Sequence, residues 1–356
     1  MSRFFSAKYD AMTPYTPGEQ PQNMQYIKLN TNESPFPPSE KAIRRAEEEA
    51  RKLQLYSDPT CRELHRAMAE RLGVSPDEVL MTNGSDEILN FAFMAFCDAE
   101  HPAVFPDITY GFYPVFAKLN GVPYTEIPLR DDFTVNVGDY IGVHKTIFIA
   151  NPNAPTGIAL PVSEIERIIA SNPDSVVVVD EAYVDFGGES CVPLIHRYDN
   201  LLVTQTFSKS RSMAGARLGF GVSCAALIAD LNTIKYSTNP YNVNRMTMAA
   251  GIGVLADEEY TRENCETVMN TRAYTADALR AIGFRVTDSK TNFLFAAHPA
   301  IDGKELYLSL KERGILVRNF DLPRLAAYNR ITVGTREQMD VLLHVIRALL
   351  EEAGAL

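Results

Sequence analysis

The first 38 residues carry little apolar periodicity. They are rich in Pro, Asn and Gln, with turn signals at Tyr15–Gly18 and Ser34–Pro38, and they predict an extended arm. At Ser39 the pattern changes. Ala42, Ile43, Ala46, Ala50 and Leu53 fall on one stripe, which predicts a helix over Ser39–Leu53. A second helix is predicted over Arg62–Leu72, with Gly73 as its stop. Short apolar runs follow at Val79–Thr82, Ala103–Phe105, Thr146–Ala150, Val176–Val179, Leu201–Thr206 and Leu218–Val222. They read as strands, with helical stretches between several of them. Ser163 and Glu166 are spaced as a capping box before a helix ending near Ala170. Alternation of this kind predicts an α/β fold with a wound, mostly parallel sheet covered by helices.

A Pro/Asn-rich break at Asn239–Asn244 closes this region. Beyond it, two helical patterns flank a strand-like segment, Asn292–Ala296, followed by Ile315–Arg318 and Arg330–Val333. The expected organisation is a large domain over 39–244 and a small α+β domain over 245–356. An arm over 1–38 is expected to join the small domain.

Composition narrows the class of protein. With 356 residues and 46% hydrophobic content the chain can bury a substantial core. Its 34 basic and 45 acidic residues give a formal charge of -11, which argues against a general binder of nucleic acid or of anionic membranes. The apolar runs are too short to span a bilayer. The N-terminal MSRFFSAKYD shows no apolar core of a secretory leader. Cys61, Cys97, Cys191, Cys224 and Cys265 are scattered and form no C-x-x-C pair, so reduced thiols in a cytoplasmic enzyme are expected. The six histidines show no ligand spacing, and no metal is expected.

Three motifs are set aside. Val176–Glu181 resembles the magnesium-binding strand of a nucleotide hydrolase, but the G-x-x-x-x-G-K-[ST] loop it requires is missing. Gly251–Ala256 fits G-x-G-x-x-A, yet the preceding Asn244–Ala250 reads as helix, so a close-packed small-residue face is expected instead. No serine lies in G-x-S-x-G.

Ligands of wound sheets bind beyond the carboxyl ends of the strands. Four segments follow predicted strands there: Asn83–Asp86, Asn151–Gly157, Asp180–Tyr183 and Ser208-Lys209. Lys209 has the hydroxyls of Thr206 and Ser208 beside it and Arg217 eight residues on, a set that suits a phosphate dianion. Asp180 closes a strand expected to be buried, where a carboxylate needs a cation or several donors. Tyr183 can donate to a ring hydroxyl. Gly84-Ser85-Asp86 opens a predicted helix whose N–H groups attract phosphate, with Asp86 a competent N-cap. A Schiff-base lysine, a carboxylate for a pyridinium, a phenol and a phosphate cup together meet the needs of pyridoxal 5′-phosphate (PLP).

Carried by these residues, the chain resembles the fold-type I PLP-dependent aminotransferases, and most of all their histidinol-phosphate aminotransferase branch. The likeness runs from Tyr15 to Thr335. Its motifs are Lys28–Glu33, Tyr56–Pro59, Gly84–Glu87, Asn151–Gly157, Asp180–Phe186, Thr206–Gly219, Asn239–Asn244, Gly314–Arg318 and Arg330–Thr335, in the family's order. The resemblance implies that Lys209 carries the cofactor, that Asp180 faces its ring nitrogen and that Tyr183 meets its oxygen. It implies a phosphate cup of Gly84, Ser85, Thr206, Ser208 and Arg217, with Asp86 beside it, and a ring of Tyr110 on the cofactor face. Tyr56 is expected to reach the phosphate of a neighbouring subunit. Arg330 is expected to grip a substrate carboxylate, with Tyr15, Asn32 and Arg318 among the substrate contacts.

Three stretches depart from the branch. Ala154 stands where the family has the second Asn of Asn-Asn-Pro-Thr-Gly, so the expectation is that either Asn153 substitutes in the cofactor-oxygen contact or that contact is lost. Ser210–Ala214 and Ser34–Pro37 also differ from the usual runs. The implied activity is ping-pong transamination between an amino donor, histidinol phosphate first, and 2-oxoglutarate, a step of histidine biosynthesis. Decarboxylation of a phosphorylated amino acid of the threonine-phosphate type, transamination of aromatic amino acids, and a non-enzymatic PLP-binding module are the alternatives. A cytoplasmic homodimer with shared active sites, touching neither nucleic acid nor membrane, is expected.

Overall fold

The computed structural model describes residues 2–10 and 12–356; Met1 and Ala11, both in the expected arm, lie outside the described residues. After the arm come β1 (Ile27–Lys28), α1 (Glu40–Ala50) and α2 (Arg62–Leu72). The large sheet is then laid down. It comprises β2 (Val79–Thr82), β3 (Ala103–Pro106), β4 (Tyr124–Ile127), β5 (Thr146–Ala150), β6 (Val177–Asp180), β7 (Leu201–Thr206) and β8 (Gly219–Ser223). Helices α3 (Ser85–Phe96), α4 (Tyr113–Asn120) and α5 (Val162–Ser171) connect its strands. The order is β2-β8-β7-β6-β5-β3-β4. Strands β3 to β7 pair in parallel, while β8 runs antiparallel between β2 and β7. The α/β expectation holds.

The remainder of the chain forms α6 (Ala225–Thr238), α7 (Arg245–Leu255), α8 (Glu258–Ala281), β9 (Arg285–Val286), β10 (Phe293–Ala297), α9 (Gly303–Glu312), β11 (Ile315–Leu316), β12 (Arg318–Asn319), β13 (Asn329–Thr332) and α10 (Arg336–Glu352). A four-stranded antiparallel sheet runs β12-β13-β10-β9. The arm joins this unit: β1 pairs in parallel with β11, and the Thr332 amide donates to the Leu29 carbonyl at 2.9 Å.

Six of the large-sheet strands lie within one residue of their predicted limits, because each is an apolar run buried on both faces. The seventh, β4, is an edge strand, Tyr-Thr-Glu-Ile, whose central Thr and Glu face solvent, so it offers no apolar run. Leu53 lies beyond α1 and is 60% exposed; the helical stripe stops at Ala50. The capping box at Ser163 does not form. Helix α5 starts two residues earlier than that box requires, with Pro161 as its N-cap, and Glu166 instead pairs with Arg197 and accepts from the Tyr198 hydroxyl at 2.9 Å.

Gly251 and Gly253 lie inside α7, where the packing account predicted them. A Cβ at Gly253 would stand 2.6 Å from the Ala42 Cα and the Lys41 carbonyl oxygen of α1. Backbone cannot yield as a side-chain tip can. Gly253→Val is therefore expected to lose about 3 kcal/mol or more by denaturant unfolding, the upper end of overpacking. Unchanged stability would count against this helix contact.

The apolar residues form three large cores. The first contains Val243, Ala250 and Val254 with the inner strands; the second gathers Leu29, Leu279, Leu294, Leu310, Ile331 and Ile346; the third packs Ile88, Phe93 and Phe116 of α3 and α4 against Leu80, Phe105 and Phe148 of the large sheet. Since α7 packs into the first, we propose that the domain division falls inside α8 rather than at 244/245.

Candidate active site

Register across the sheet brings the chemistry together. Ala150 stands opposite Asp180, and Asp180 opposite Thr204, so the ends of β5, β6 and β7 share one edge. A cavity of about 180 Å³ opens there. Lys209, Asp180, Tyr183, Tyr110, Ser85, Asp86, Thr206, Ser208 and Arg217 all line it. Eight of these nine were named from their places along the chain, and Tyr110 from the family resemblance alone.

Lys209 follows β7. Its Nζ reaches the Thr31 carbonyl at 3.4 Å and lies 5.9 Å from the centre of the Tyr183 ring. Enclosure by protein, aided by the Arg330 charge, pulls its ammonium down from 10.5 to about 8. An amine so placed gives up its proton far more readily than an ordinary lysine.

Asp180 is buried at the end of β6. Its Oδ2 accepts from the Tyr113 hydroxyl at 3.1 Å, and its Oδ1 from the Ala182 amide at 3.2 Å and the Thr204 hydroxyl at 3.4 Å. Burial pushes the carboxyl up to about 6. No ion pair satisfies it among the described residues. Tyr113 and Thr204 escaped the sequence reading; Thr204 was signalled only by its place two residues before Thr206 on a buried strand.

The other end of the cavity is built for an anion. Gly84 caps α3 with φ 80°, and a Cβ there would come within 2.6 Å of an Arg217 Nη2. Only glycine lets the guanidinium lie against the helix start. Ser85 opens the helix. The Thr206 hydroxyl donates to Ser208 Oγ at 3.0 Å, and Arg217 Nη1 reaches that same Oγ at 3.5 Å. Asp86 is the second residue of α3 rather than its N-cap. Its carboxylate takes Arg217 Nη2 at 3.0 Å on one oxygen and the Tyr110 hydroxyl on the other, which fixes both groups beside the cup.

A family model for aminotransferase class I and II matches residues 24–346. The histidinol-phosphate aminotransferase of Brachyspira hyodysenteriae is 46% identical over 99% of this chain and 100% of its own. Histidinol-phosphate aminotransferase 2 of Dechloromonas aromatica is 48% identical over 98% and 99%. The chain belongs to the class I and II aminotransferases. Its fold agrees. The structure of a putative histidinol-phosphate aminotransferase from Erwinia carotovora superposes with a TM-score of 0.85 at 27% identity, covering 93% of this chain and 97% of that one. The PLP complex of histidinol-phosphate aminotransferase from Sinorhizobium meliloti superposes with a TM-score of 0.87 at 23% identity, over 98% and 99%.

This aminotransferase is a PLP-dependent transaminase, acting on an amino donor and a 2-oxo acid. The cavity fits the cofactor on its own terms. A buried carboxylate without a cation, an anion cup and an easily deprotonated amine are the complements of a protonated ring nitrogen, a phosphate and an aldehyde.

Some expected contacts lie elsewhere in the aminotransferase. Asn153 does not line the cavity. Its amide donates to the Ile108 carbonyl at 2.9 Å and to Thr156 Oγ1 at 3.1 Å, and its oxygen accepts from the Thr109 hydroxyl at 2.8 Å. Both N–H groups are spent, so Asn153 cannot replace the amide missing at position 154. The Ala154 methyl lines the cavity there. Asn32 likewise lies behind the wall: its amide donates to the Tyr183 hydroxyl at 2.9 Å and positions it. Tyr15 stacks on Phe112 at 4.2 Å. Tyr56 is 81% exposed and stacks on Tyr241, outside the cavity of its own chain. Thr31 and Glu33, named in the sequence only within the Lys28–Glu33 motif and given no role there, line the cavity beside Lys209.

The departures at Ser34 and Ser210–Ala214 meet one another. Ser212 Oγ donates to Ser34 Oγ at 2.8 Å, while Ser210 and Arg211 both bind the Asp185 carboxylate.

Proposed function

We propose that this aminotransferase transfers the amino group of histidinol phosphate to 2-oxoglutarate. Full-length relatives near 46–48% identity that carry this name support the substrate. The observation that carries the reading is a pair of guanidinium groups. Arg318 and Arg330 stand directly opposite on β12 and β13. Both face the Phe320 ring, at 5.8 and 5.7 Å. Arg318 donates to the carbonyls of Thr16 and Pro17 in the arm, each at 3.2 Å. Arg330 donates to the Asn30 carbonyl at 3.0 Å, and its Nε is buried without a partner among the described residues. Two close cations and an orphaned donor call for an anion, and a phosphate monoester supplies the charge and acceptor oxygens. The carboxylates of 2-oxoglutarate and glutamate suit the same pair.

Bound PLP supplies an aldehyde for the donor amine and a ring that accepts the electron pair left at Cα. In this reading the protein does the rest. Ser85, Thr206, Ser208 and Arg217 hold the phosphate. Asp180 holds the ring nitrogen protonated. Asn32 orients Tyr183 towards the ring oxygen, and Lys209 Nζ takes the proton from the donor Cα.

The test is a donor panel. Purified protein with PLP is mixed with single donors, and conversion to the pyridoxamine form is followed by absorbance. Histidinol phosphate is expected to react fastest; equal rates with phosphate-free donors would remove the reading. Arg330→Lys, which keeps the charge but loses the fork, is expected to raise KM for histidinol phosphate about 10- to 100-fold and to change kcat less.

The proposal includes a homodimer with shared sites. Leu53, Leu55 and Tyr56 expose 60%, 56% and 81% of their surface as one apolar stretch, and Tyr56 is the residue that the family resemblance assigns to the neighbouring subunit's phosphate. Sedimentation at twice 39.6 kDa is the expected outcome. A cytoplasmic location is proposed from the five unpaired cysteines, and no helix among the described residues is long and apolar enough to cross a membrane.

A further inference from the structure

Three carboxylates line the cavity: Asp86, Asp180 and Glu33. Asp86 is committed to Arg217 and Tyr110, and Asp180 lies beneath the site held by Tyr113 and Thr204. Glu33 has no part in the chemistry above. It stands two residues after Thr31 in the irregular part of the arm, and the Thr31 carbonyl meets Lys209 Nζ. Its Oε1 accepts from Lys28 Nζ at 2.8 Å, and its Oε2 accepts from the Thr31 hydroxyl at 2.8 Å. Burial opposes its ionisation, but these two donors outweigh that and hold the carboxyl below its ordinary value. The group is thus a fixed anion. Lys28 Nζ bridges both oxygens, at 2.8 Å from Oε2 as well, so Oε2 is fully engaged while Oε1 keeps one acceptor position, and the side chain is 41% exposed.

Although paired with Lys28, this carboxylate lines the cavity with one acceptor position open to a donor that enters it. The phosphate of the donor is claimed by cations, and the donor amine by the reacting centre. The donor's ring is what remains, and an imidazole brings an N–H, or a full positive charge when protonated. We propose that Glu33 reads the basic ring of the amino donor and so separates it from donors with neutral rings. This rests on the histidinol-phosphate reading and deepens it. The oxo-acid half of the cycle brings no ring, so Glu33 has no task there.

The experiment uses the holoenzyme and single-turnover half-reactions followed by cofactor absorbance, for wild type and Glu33→Gln. Three donors are compared: histidinol phosphate, phenylalaninol phosphate as its neutral-ring analogue, and glutamate. The variant is expected to bind histidinol phosphate about 10- to 100-fold more weakly, the range for a charge-assisted hydrogen bond. Phenylalaninol phosphate and glutamate are expected to change less than about threefold, within ordinary surface-substitution effects. An equal loss with all three donors would overturn the proposal and assign Glu33 to Lys209 instead. No loss with any donor would also overturn it. If the wild type rejects histidinol phosphate altogether, the substrate reading fails by itself. Histidine against phenylalanine then decides on Glu33, with selective loss for histidine upholding it and parallel behaviour refuting it.

Discussion

Lys209→Ala is expected to lose the visible absorbance of lysine-bound cofactor and to cut turnover by at least about 10⁴-fold, since one amine serves as both tether and proton carrier. Borohydride reduction of the wild-type holoenzyme, followed by peptide mapping, should place the label on the peptide that contains Lys209. Full transamination by the Ala variant, or an unlabelled Lys209 peptide at saturating PLP, would end the assignment. A second readout concerns the cofactor-free protein. The Lys209 ammonium loses its proton at about 8 when folded and at 10.5 when unfolded. The unfolded chain therefore binds more protons between those values, and wild-type stability rises with pH across that window. The difference is on the order of 3 kcal/mol for about 2.5 units. The Ala variant lacks the group, so the gap between the two proteins should close from pH 8 to pH 10.5. A constant gap would mean that Lys209 is not held in an enclosing site.

Much of this was legible in the chain because buried parallel strands are written as apolar runs, and because wound sheets put their ligands where those runs end. Lys209, Asp180 and the Gly84-Ser85 turn could be named from their places after strands. What stayed hidden depends on register or on distant partners. Tyr113 meets Asp180 across 67 residues, and Asn32 meets Tyr183 across 151. Asn153 looked free to touch the cofactor, since the sequence does not show that Ile108 and Thr109 absorb its amide. Edge strand β4 was missed because solvent on its Thr125 and Glu126 removes the hydrophobic signal. Glu33 was quoted as part of a motif, but its bearing on the site comes from the arm folding back along β11.

Asp180→Asn should move activity and stability in opposite directions. In the cofactor-free protein the carboxyl is buried without a cation, and its protonation point is pushed from 3.8 to about 6. The folded state then binds more protons than the unfolded one between those values, so this group costs stability as pH rises from about 4 to about 6. Above that the cost is complete, about 3 kcal/mol for two units. Asparagine removes it. The apo variant should therefore resist urea better than wild type at pH 7 and show no such advantage at pH 4. With PLP present the balance reverses in function. The anion cup and Lys209 remain, so cofactor content is expected to stay near that of wild type. The ring nitrogen, however, loses the anion that keeps its proton, and turnover should fall roughly 10²- to 10³-fold, as when one preorganised charge partner is withdrawn from a desolvated site. Equal turnover in both proteins would refute the pairing of Asp180 with the ring nitrogen. A variant less stable than wild type at pH 7 would instead show that the Tyr113 and Thr204 hydrogen bonds, rather than the buried charge, dominate that position.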